Sequence, residues 1–293
     1  FDRLARRNGV DLVLSPAGML SPGCSLPQIV LAQNPWPLMP AAAGLRLRLQ
    51  KREFARAQQL AWRMTFNSAY MQTLYAEQLG LPTRPSVVVL QGVDEDLFTM
   101  RGAGDLSGRS SEILAVSVMA AHKGIEILVD AFANLARTRP LAKLRLIGGW
   151  PDGDYRALVD ARIAASGVAD RIEVQGHVDA ATLRASFRRA RVFCLPSRCE
   201  SFGIPAVEAQ VTGTPVVVAA GTAAPEIIGQ GGCVVAQGDT EATSAALAHL
   251  LDDDVEWINR SNAARQNAER YHWPACSQPL VELLDLFAAE GPA

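Results

Sequence analysis

Two glutamates, Glu200 and Glu208, flank the expected start of a helix in the second half of the chain. Proline is favoured in the first turn of a helix, so Pro205 predicts a helix N-terminus formed by the residues around it, and such a terminus attracts anions. The backbone amides expected there belong to Ser201, Phe202, Gly203 and Ile204. The pattern leaves two interpretations open, namely two carboxylates that face one ligand cleft or an ordinary loop with solvated acids.

A lysine in an earlier loop could neutralise an anionic ligand. Lys123 and Gly124 follow a run of β-branched residues at 113–118 and precede a stretch with helical spacing of its apolar residues. An ammonium group between a strand and a helix can bind a phosphate, and glycine lets the ligand approach the backbone. The alternative is a surface lysine whose stem covers apolar neighbours while its charge stays in water.

The elements that must position these residues alternate along the chain as short β-branched runs and amphipathic helical stretches. This alternation is the pattern of parallel sheets covered by helices, and it predicts the α/β fold class. In open sheets of this class, ligands bind beyond the carboxyl ends of the strands, where both loops described above begin. The predicted strands are residues 10–14, 29–32, 64–67, 87–90, 113–118, 144–148, 172–175, 192–195 and 215–219.

A stretch rich in Gly and Ser at 98–112 has no periodic pattern, so we predict that it links two domains. The expected division is an acceptor-side α/β domain at 1–105, a second α/β domain at 106–273, and a final helix at 274–293 that packs back toward the junction. The chain begins at Phe1 rather than Met. We therefore expect a truncated N-terminus and an incomplete first domain.

The composition limits the classes of protein that need to be considered. The chain has 293 residues, of which 49% are hydrophobic and 20% charged, so it can form a large core. Its net charge of −2 gives no global basic field, and we expect no nucleic-acid partner. No apolar run approaches the length of a membrane span. The 5 cysteines lack CxxC spacing, which favours reduced thiols and a cytoplasmic location.

Several short motifs accompany the two loops in a fixed order along the chain. They are Gly92-Val-Asp94, Leu97-Phe98, Lys123-Gly124, Pro196-Ser197, Glu200-Ser-Phe-Gly203, Glu208, Gly213-Thr-Pro-Val-Val217 and Pro225-Glu226. Together they resemble the retaining GT-B glycosyltransferases of the family-4 type (glycosyl transferases group 1). The resemblance implies two Rossmann-like domains that face each other across a cleft. It also implies transfer of a sugar from a nucleotide diphosphate sugar to a hydroxyl acceptor, without a metal or another cofactor.

The resemblance also implies roles for individual residues. Glu200 would lie against the donor sugar and Lys123 would hold the diphosphate, which makes them the expected catalytic residues. Glu208 would bind the ribose hydroxyls, while Phe202 and Gly203 would offer backbone amides. Ser201 and Ile204 belong to the same amide cluster. The loop of Gln175, Gly176 and His177 would lie near the base.

Two positions depart from the family pattern. Val118 stands where many relatives carry an Arg that contacts the diphosphate, so either the positive charge around the diphosphate is weaker here or another base, such as Arg198 or His122, supplies part of it. Gln33 and Asn34 stand where the family usually has a His on the acceptor side. Either side chain can form a hydrogen bond with a sugar, but neither ionises near neutral pH.

Two other functions remain open from the sequence. A nucleotide-sugar epimerase on the same fold would turn over a donor without an acceptor. A non-catalytic homologue would bind a nucleotide sugar without transfer, and the departures at Val118 and Gln33 are compatible with it.

The remaining charged clusters have simple explanations. Asp152 and Asp154, and likewise residues 252–254, have Asp-x-Asp spacing, but a turn and a helix cap account for them better than a metal site does. A basic run with interleaved leucines predicts either a solvated helix face or peripheral contact with an anionic inner-membrane surface. Its basic residues are Arg46, Arg48, Lys51, Arg52 and Arg56.

Overall fold

The computed structural model describes residues 1–40, 44–99 and 104–291. They form two compact units, one of Phe1–Gly92 with Trp273–Ala293 and the other of Val93–His272. The first unit holds a four-stranded sheet in the order β1-β2-β3-β4, and the second a six-stranded sheet in the order β10-β9-β8-β5-β6-β7. Every pair of neighbouring strands is parallel, which confirms the predicted α/β class.

The strands are short and mostly apolar, as expected for sheets covered on both faces. They are β1 (Val13–Ser15), β2 (Gln28–Ala32), β3 (Arg63–Phe66), β4 (Val87–Val88), β5 (Glu112–Val116), β6 (Lys143–Ile147), β7 (Ile172–Gln175), β8 (Val192–Leu195), β9 (Val216–Ala219) and β10 (Gly232–Val235).

From β5 to β10 an α-helix follows each strand, and the last three helices follow one another without a strand between them. They are α1 (Asp2–Arg7), α2 (Leu45–Leu60), α3 (Ala69–Leu79), α4 (Ile125–Ala136), α5 (Gly153–Ala165), α6 (Ala180–Arg189), α7 (Ile204–Val211), α8 (Ala224–Ile228), α9 (Thr240–Asp252), α10 (Asp254–Ala268) and α11 (Trp273–Glu290).

Each sheet has an apolar core on both faces, because successive side chains of a strand point to opposite sides. In β5, Ile113 packs with α4, α5 and α9 in one core, whereas Leu114 packs with α6, α7 and α8 in the other. In β2, Val30 faces the core formed with α2 and α3. Ile29 faces the opposite side, where α11 covers the sheet.

All nine predicted strands occur, two of them (β7 and β8) with the expected bounds and seven with shifted bounds, and one strand was missed. The first predicted strand, 10–14, is replaced by Val13–Ser15 because the Val10 amide donates a hydrogen bond to the Ala5 carbonyl, 3.1 Å away, and so closes the end of α1. The strand predicted at 87–90 is only Val87–Val88, although the Val89 amide still pairs with the Phe66 carbonyl at 2.8 Å. The missed strand is β10.

The contacts of the chain place the division between the units after Gly92, earlier than the boundary predicted at 105. The segment that follows is held by the second unit. The amide of Val93 donates to the carbonyl of Tyr271 at 3.2 Å, and the guanidinium of Arg265 donates to the carbonyl of Phe98 at 2.7 Å. The predicted linker is also packed there, since the Gly104 amide donates to Ser261 Oγ at 2.9 Å. Its residues 100–103 lie outside the described part of the chain.

Candidate active site

The loops that carry Lys123 and Glu200 follow neighbouring strands of the second sheet. Strand β5 pairs with β8, with Ile113 opposite Val192 and Leu114 opposite Phe193. Because the strands are parallel, the loops after them leave from the same edge of the sheet. Lys123 ends a 3₁₀ turn just before α4, and Glu200 lies in the loop between β8 and α7.

The side chains of Lys123 and Glu200 form an ion pair. Lys123 Nζ lies 2.6 Å from Glu200 Oε2, and the two side chains are only 15% and 12% exposed. Partial burial reduces the screening of such a pair by water and salt. The adjacent His122 is affected as well, because burial and the charge of Lys123 lower its pKa against a smaller opposing effect of Glu200. The edge of the second sheet therefore carries a cationic and an anionic side chain in direct contact.

Gly124 allows the two loops to approach each other. Its φ angle is +66°, and a Cβ atom placed there would lie 2.6 Å from the carbonyl oxygen of Pro196. Glycine adopts this left-handed backbone without the steric penalty that other residues incur. The close approach of the Pro196 and Gly124 backbones thus depends on the absence of a side chain.

The N-terminus of α7 lies beside Glu200. Gly203 occupies the cap position with φ +97° and has no side chain to bond the first amides of the helix. Phe202 is 1% exposed and packs edge-on against Tyr271 at 5.7 Å between ring centroids, so only its backbone can meet a ligand. Ser201 is partly exposed and Ile204 is exposed. The predicted amide cluster therefore lies where an anion could approach.

Glu208 lies one turn inside α7 in a partly buried position. Burial, together with the negative charge of Asp94, raises the pKa of Glu208 to about 7. Asp94 itself forms an ion pair with Arg184 at 2.5 Å. The sequence placed Asp94 in a family motif but did not indicate that it would lie near Glu208.

The guanidinium of Arg198, predicted as a donor contact, is bonded within the protein. Its Nη2 lies 2.5 Å from Glu126 Oε1, and its Nη1 donates to the carbonyl of Ala121 at 2.8 Å. The backbone of Arg198 contacts His122, the residue before Lys123, but the charge of Arg198 is paired with that of Glu126. No pattern in the sequence indicates this pairing, because Glu126 is an ordinary acidic residue in the first turn of α4.

The predicted base-side residues follow β7 at the same edge of the sheet. Gly176 and His177 are exposed. His177 borders the loop after β6, where a Cβ atom on Gly149 would lie 3.1 Å from His177 Nε2. The amide of Gly148 donates to the carbonyl of Gln175 at 3.2 Å. The loops after β6 and β7 are therefore in direct contact.

Gln33 and Asn34, predicted on the acceptor side, belong to the first unit and directly follow β2. Gln33 is partly exposed. Asn34 is exposed, and its Oδ1 accepts a hydrogen bond from the Trp36 amide at 3.0 Å. Both residues thus lie at the carboxyl edge of their own sheet.

One Asp-x-Asp segment has the helix-cap role that the sequence predicted, whereas the other caps a helix instead of forming the predicted turn. Asp152 caps α5 by accepting hydrogen bonds from the amides of Asp154 and Tyr155, and Asp253 caps α10. Asp252 pairs with Arg139. Among residues 1–40, 44–99 and 104–291, no group of three or more His, Cys, Asp or Glu side chains is arranged to hold a metal ion.

The basic run lies on α2 and is exposed to solvent. Arg46 and Arg56 mark its ends, and Leu45 and Leu49 are also exposed, at 74% and 51%. Lys51 donates to Gln78 Oε1 at 3.1 Å. Within the part of the chain that the structure describes, no helix is long and apolar enough to cross a membrane.

Comparison with known proteins identifies relatives of both sequence and fold. A MMP alpha-(1->4)-mannosyltransferase of Mycolicibacterium hassiacum is 30% identical over 234 residues, which cover 78% of this chain and 55% of that protein. The chain spans about half the length of the curated relatives it matches.

Solved structures share the fold at lower sequence identity. Sucrose-phosphate synthase from Thermosynechococcus elongatus matches 99% of this chain and 76% of its own, with a TM-score of 0.85 and 20% identity. Anabaena Alr3699/HepE, solved in complex with UDP and glucose, matches 89% of this chain and 72% of its own, with a TM-score of 0.76 and 22% identity. The family model for glycosyl transferases group 1 matches residues 99–271, and the chain belongs to that family.

Proposed function

We propose that this chain is part of a retaining glycosyltransferase of the family-4 type, which transfers a sugar from a nucleotide diphosphate sugar to a hydroxyl acceptor. The observation that carries the proposal is the Lys123 and Glu200 ion pair, with 2.6 Å between Nζ and Oε2, beside the N-terminus of α7. This arrangement combines a cation, helix amides and a carboxylate at one sheet edge. The cation and the amides can stabilise a diphosphate, and the carboxylate can stabilise a sugar ring that becomes cationic.

In this proposal the second unit binds the donor. Lys123 and the amides near Gly203 hold the diphosphate, and Glu208 accepts hydrogen bonds from the ribose hydroxyls. Gly176 and His177 lie near the base. Membership of the glycosyl transferases group 1 family supports a sugar donor, and the UDP bound in the Anabaena structure supports a nucleotide.

The chemistry follows from where charge develops. The bond between the anomeric carbon and the diphosphate oxygen breaks, and its electron pair stays on the departing diphosphate, where Lys123 and the α7 amides stabilise the added negative charge. The sugar ring becomes cationic, so the Glu200 carboxylate stabilises it. The acceptor oxygen then bonds to the anomeric carbon on the face that the diphosphate leaves, and its proton passes to the departing diphosphate oxygen. Gln33 and Asn34 are the proposed acceptor-side residues, and the acceptor is a glycan, a lipid-linked sugar or a small molecule.

We further propose that the reaction needs no metal ion. Lys123 and helix amides supply positive charge to the diphosphate, and Asp152, Asp252 and Asp253 are engaged in caps or in an ion pair. Transfer measured after treatment with EDTA should equal transfer before treatment. Strict dependence on Mg²⁺ or Mn²⁺ would contradict the proposal.

We propose that the protein is cytoplasmic and that it binds peripherally to the inner surface of the membrane. Helix α2 presents exposed arginines, among them Arg48 and Arg52, and the exposed Leu45 and Leu49. Arginines attract anionic lipid while leucines enter the interface. Sedimentation should show binding to vesicles that contain phosphatidylglycerol and little binding to phosphatidylcholine alone. Binding that persists unchanged in an Arg48→Gln/Arg52→Gln variant would exclude α2 as the contact.

The central test is a panel of UDP-, GDP- and ADP-sugars measured by thermal unfolding and by transfer. A ligand that binds only the folded protein adds about 2.7 kcal/mol of stability at 100 times its dissociation constant. We expect one nucleotide class to stabilise the chain. Stabilisation by none would reject the proposal, and turnover without an acceptor would favour an epimerase.

The variant Glu200→Gln tests the catalytic role. It keeps the size of the side chain and removes its charge, so turnover should fall more than donor affinity does. Glu208→Ala should act chiefly on donor affinity, because it frees the ribose hydroxyls. Tight binding without transfer or hydrolysis in the unmodified protein would identify a non-catalytic nucleotide-sugar-binding homologue.

A further inference from the structure

We propose that Arg198 and Glu126 are positioning residues that hold Lys123 against Glu200, and that Arg198 is not a ligand of the diphosphate. Their importance for transfer rests on the function proposed above. Their effect on the geometry of the Lys123 and Glu200 pair can be tested without any nucleotide.

Arg198 joins the two loops of the site at three points. Its amide donates to the carbonyl of His122 at 2.7 Å, and its Nη1 donates to the carbonyl of Ala121 at 2.8 Å. Its Nη2 lies 2.5 Å from Glu126 Oε1. All three partners lie in or next to the turn that ends at Lys123, whereas Arg198 belongs to the loop that carries Glu200. Both ends of the catalytic ion pair are therefore tied together by one residue.

Glu126 links Arg198 to helix α5 as well as to its own helix, α4. Its second oxygen, Oε2, accepts a hydrogen bond from the Tyr155 hydroxyl at 2.5 Å. The same hydroxyl accepts a hydrogen bond from the Ile125 amide at 2.9 Å. Burial and the Glu126 carboxylate raise the pKa of Tyr155, so the phenol remains a donor at neutral pH. Tyr155 on α5 thus fixes the first turn of α4, and through Glu126 it fixes Arg198.

The alternative role, in which Arg198 binds the diphosphate, predicts the opposite effect of Glu126. A diphosphate would have to draw the guanidinium away from Glu126, to which it is bonded at 2.5 Å. Removing the Glu126 charge would then release Arg198 and strengthen nucleotide binding. If Arg198 positions the loops instead, removing either partner loosens Lys123 and weakens binding. The sign of the Glu126 effect therefore separates the two roles.

The first experiment measures acylation of lysines in the ligand-free protein with acetic anhydride, followed by mass spectrometry. The chain has lysines only at Lys51, Lys123 and Lys143, so each can be followed separately. We expect Glu126→Gln and Arg198→Gln to raise the rate at Lys123 several-fold relative to the exposed Lys143. In the calorimetry described below, Arg198→Lys keeps the charge opposite Glu126, so its affinity should lie closer to that of the unmodified protein.

A second ion pair, between α4 and α5, provides a matched control. Arg162 on α5 pairs with Asp130 on α4, away from the loops of the site, and its side chain is 47% exposed against 41% for Arg198. Arg162→Gln removes an ion pair between α5 and α4 that does not involve the loops of the site, so it should leave the ratio of Lys123 to Lys143 acylation unchanged. An equal rise in this control would show a general loosening and would overturn the proposal.

The second experiment measures affinity for UDP, GDP and ADP by calorimetry in the same variants. We expect Glu126→Gln and Arg198→Gln each to weaken the nucleotide that binds by about tenfold, the lower end of what loss of an orienting partner costs at metal sites. Tighter binding in Glu126→Gln together with weaker binding in Arg198→Gln would overturn the proposal and make Arg198 a ligand.

The two experiments also separate this inference from the proposed function. If none of the three nucleotides binds the unmodified protein, the proposed function fails, while the acylation ratios still decide whether Arg198 and Glu126 hold Lys123. Unchanged acylation of Lys123 in both variants overturns the positioning role, whatever the nucleotides do.

Discussion

Lys123 is opposite a carboxylate in the structure, and in the proposed reaction it faces a diphosphate as well. Its Nζ lies 2.6 Å from Glu200 Oε2, so an incoming diphosphate shares or replaces that contact. Two negative groups near one ammonium make its charge important for binding. A variant without the ammonium would leave Glu200 to repel the diphosphate.

We therefore expect Lys123→Ala to weaken binding of the nucleotide diphosphate by about 1.5 to 3 kcal/mol, the range for a hydrogen bond to a charged group. Calorimetry with the nucleotide found in the panel measures this loss. Lys143→Ala is the control, because Lys143 is exposed at the start of β6. Equal affinities of Lys123→Ala and the unmodified protein would exclude Lys123 from the diphosphate site.

Glu208 provides a pH-dependent prediction. Burial and Asp94 raise its pKa to about 7 from an ordinary value of 4.5. The folded protein thus favours the protonated carboxyl, so the stability it contributes is complete below pH 4.5 and is lost as the pH rises through about 7. This difference corresponds to about 3 kcal/mol.

Urea unfolding at pH 5 and pH 8 should therefore show Glu208→Gln gaining stability relative to the unmodified protein at the higher pH. The neutral amide does not pay the cost of a buried charge, which the carboxylate does. A difference between the two proteins that is the same at both pH values would mean that Glu208 titrates as an ordinary carboxyl.

The roles of single residues were predictable only where short motifs carried them. Lys123 and Glu200 lie in loops after strands, and Glu208 lies one turn inside the helix after the second loop, so their place near the sheet edge could be inferred from readable patterns. The pairing of Arg198 with Glu126 could not, since it joins residues that are 72 positions apart in sequence. The effect of Asp94 on Glu208 likewise depends on packing that no local pattern specifies.

At the scale of elements, the contact between the loops after β5 and β8 depends on Gly124. A Cβ atom at this position would meet the Pro196 carbonyl oxygen at 2.6 Å. Gly238 has a similar φ angle of +80°, but a Cβ atom there would meet nothing within 4 Å. An alanine at either position would therefore strain the backbone to a similar extent. Only the alanine at position 124 would also clash with a neighbouring atom.

Gly124→Ala should lower the free energy of unfolding by about 1 to 3 kcal/mol more than Gly238→Ala does, which is the usual cost of forcing extra atoms into a packed site. It should also weaken nucleotide binding, because the clash separates Lys123 from Glu200. Chemical unfolding and calorimetry of both variants test this. Equal stability of the two variants would show that the loops can move apart without cost.

The sequence predicted elements well where β-branched runs were flanked by clear turns. Strands β7 and β8 have the predicted bounds, because their apolar runs end at the loops on either side. Strand β10 was missed because Gly231 precedes it and Gly232 begins it, and this pair of glycines resembles a turn. A Cβ atom on Gly232 would lie 1.8 Å from the Val216 carbonyl oxygen, so this glycine is required by close strand packing.

At the scale of the whole molecule, the chain leaves the first unit after Gly92 and re-enters it at Trp273. These two points are adjacent, because a Cβ atom on Gly92 would lie 2.5 Å from the Trp273 ring. The composition of 98–112 suggested a later boundary, since Gly and Ser are typical of linkers even where, as at Phe98 and Gly104, the described residues are hydrogen-bonded to the second unit. Sequence composition reports local flexibility, whereas the division of a chain depends on its long-range contacts.

Helix α11 completes the core of the first unit although it comes last in the sequence. Phe287 is 7% exposed, and its ring packs edge-on against Trp62 at 5.1 Å between centroids. Leu283 and Phe287 cover Ile29 on the face of the sheet opposite α2 and α3. The stability of the first unit should therefore depend on the C-terminal residues.

Phe287→Ala should destabilise the first unit by about 3 to 5 kcal/mol, the usual cost of removing a buried aromatic ring. Hydrogen exchange should become faster in β2 and β3 and stay unchanged in β5 and β8, since the second unit has its own core. Nucleotide affinity should be retained, while transfer falls because both reactants must be held in register. Leu286→Ala is the control, because Leu286 is 40% exposed. Faster exchange in β5 and β8 of Phe287→Ala would show instead that the two units unfold as one.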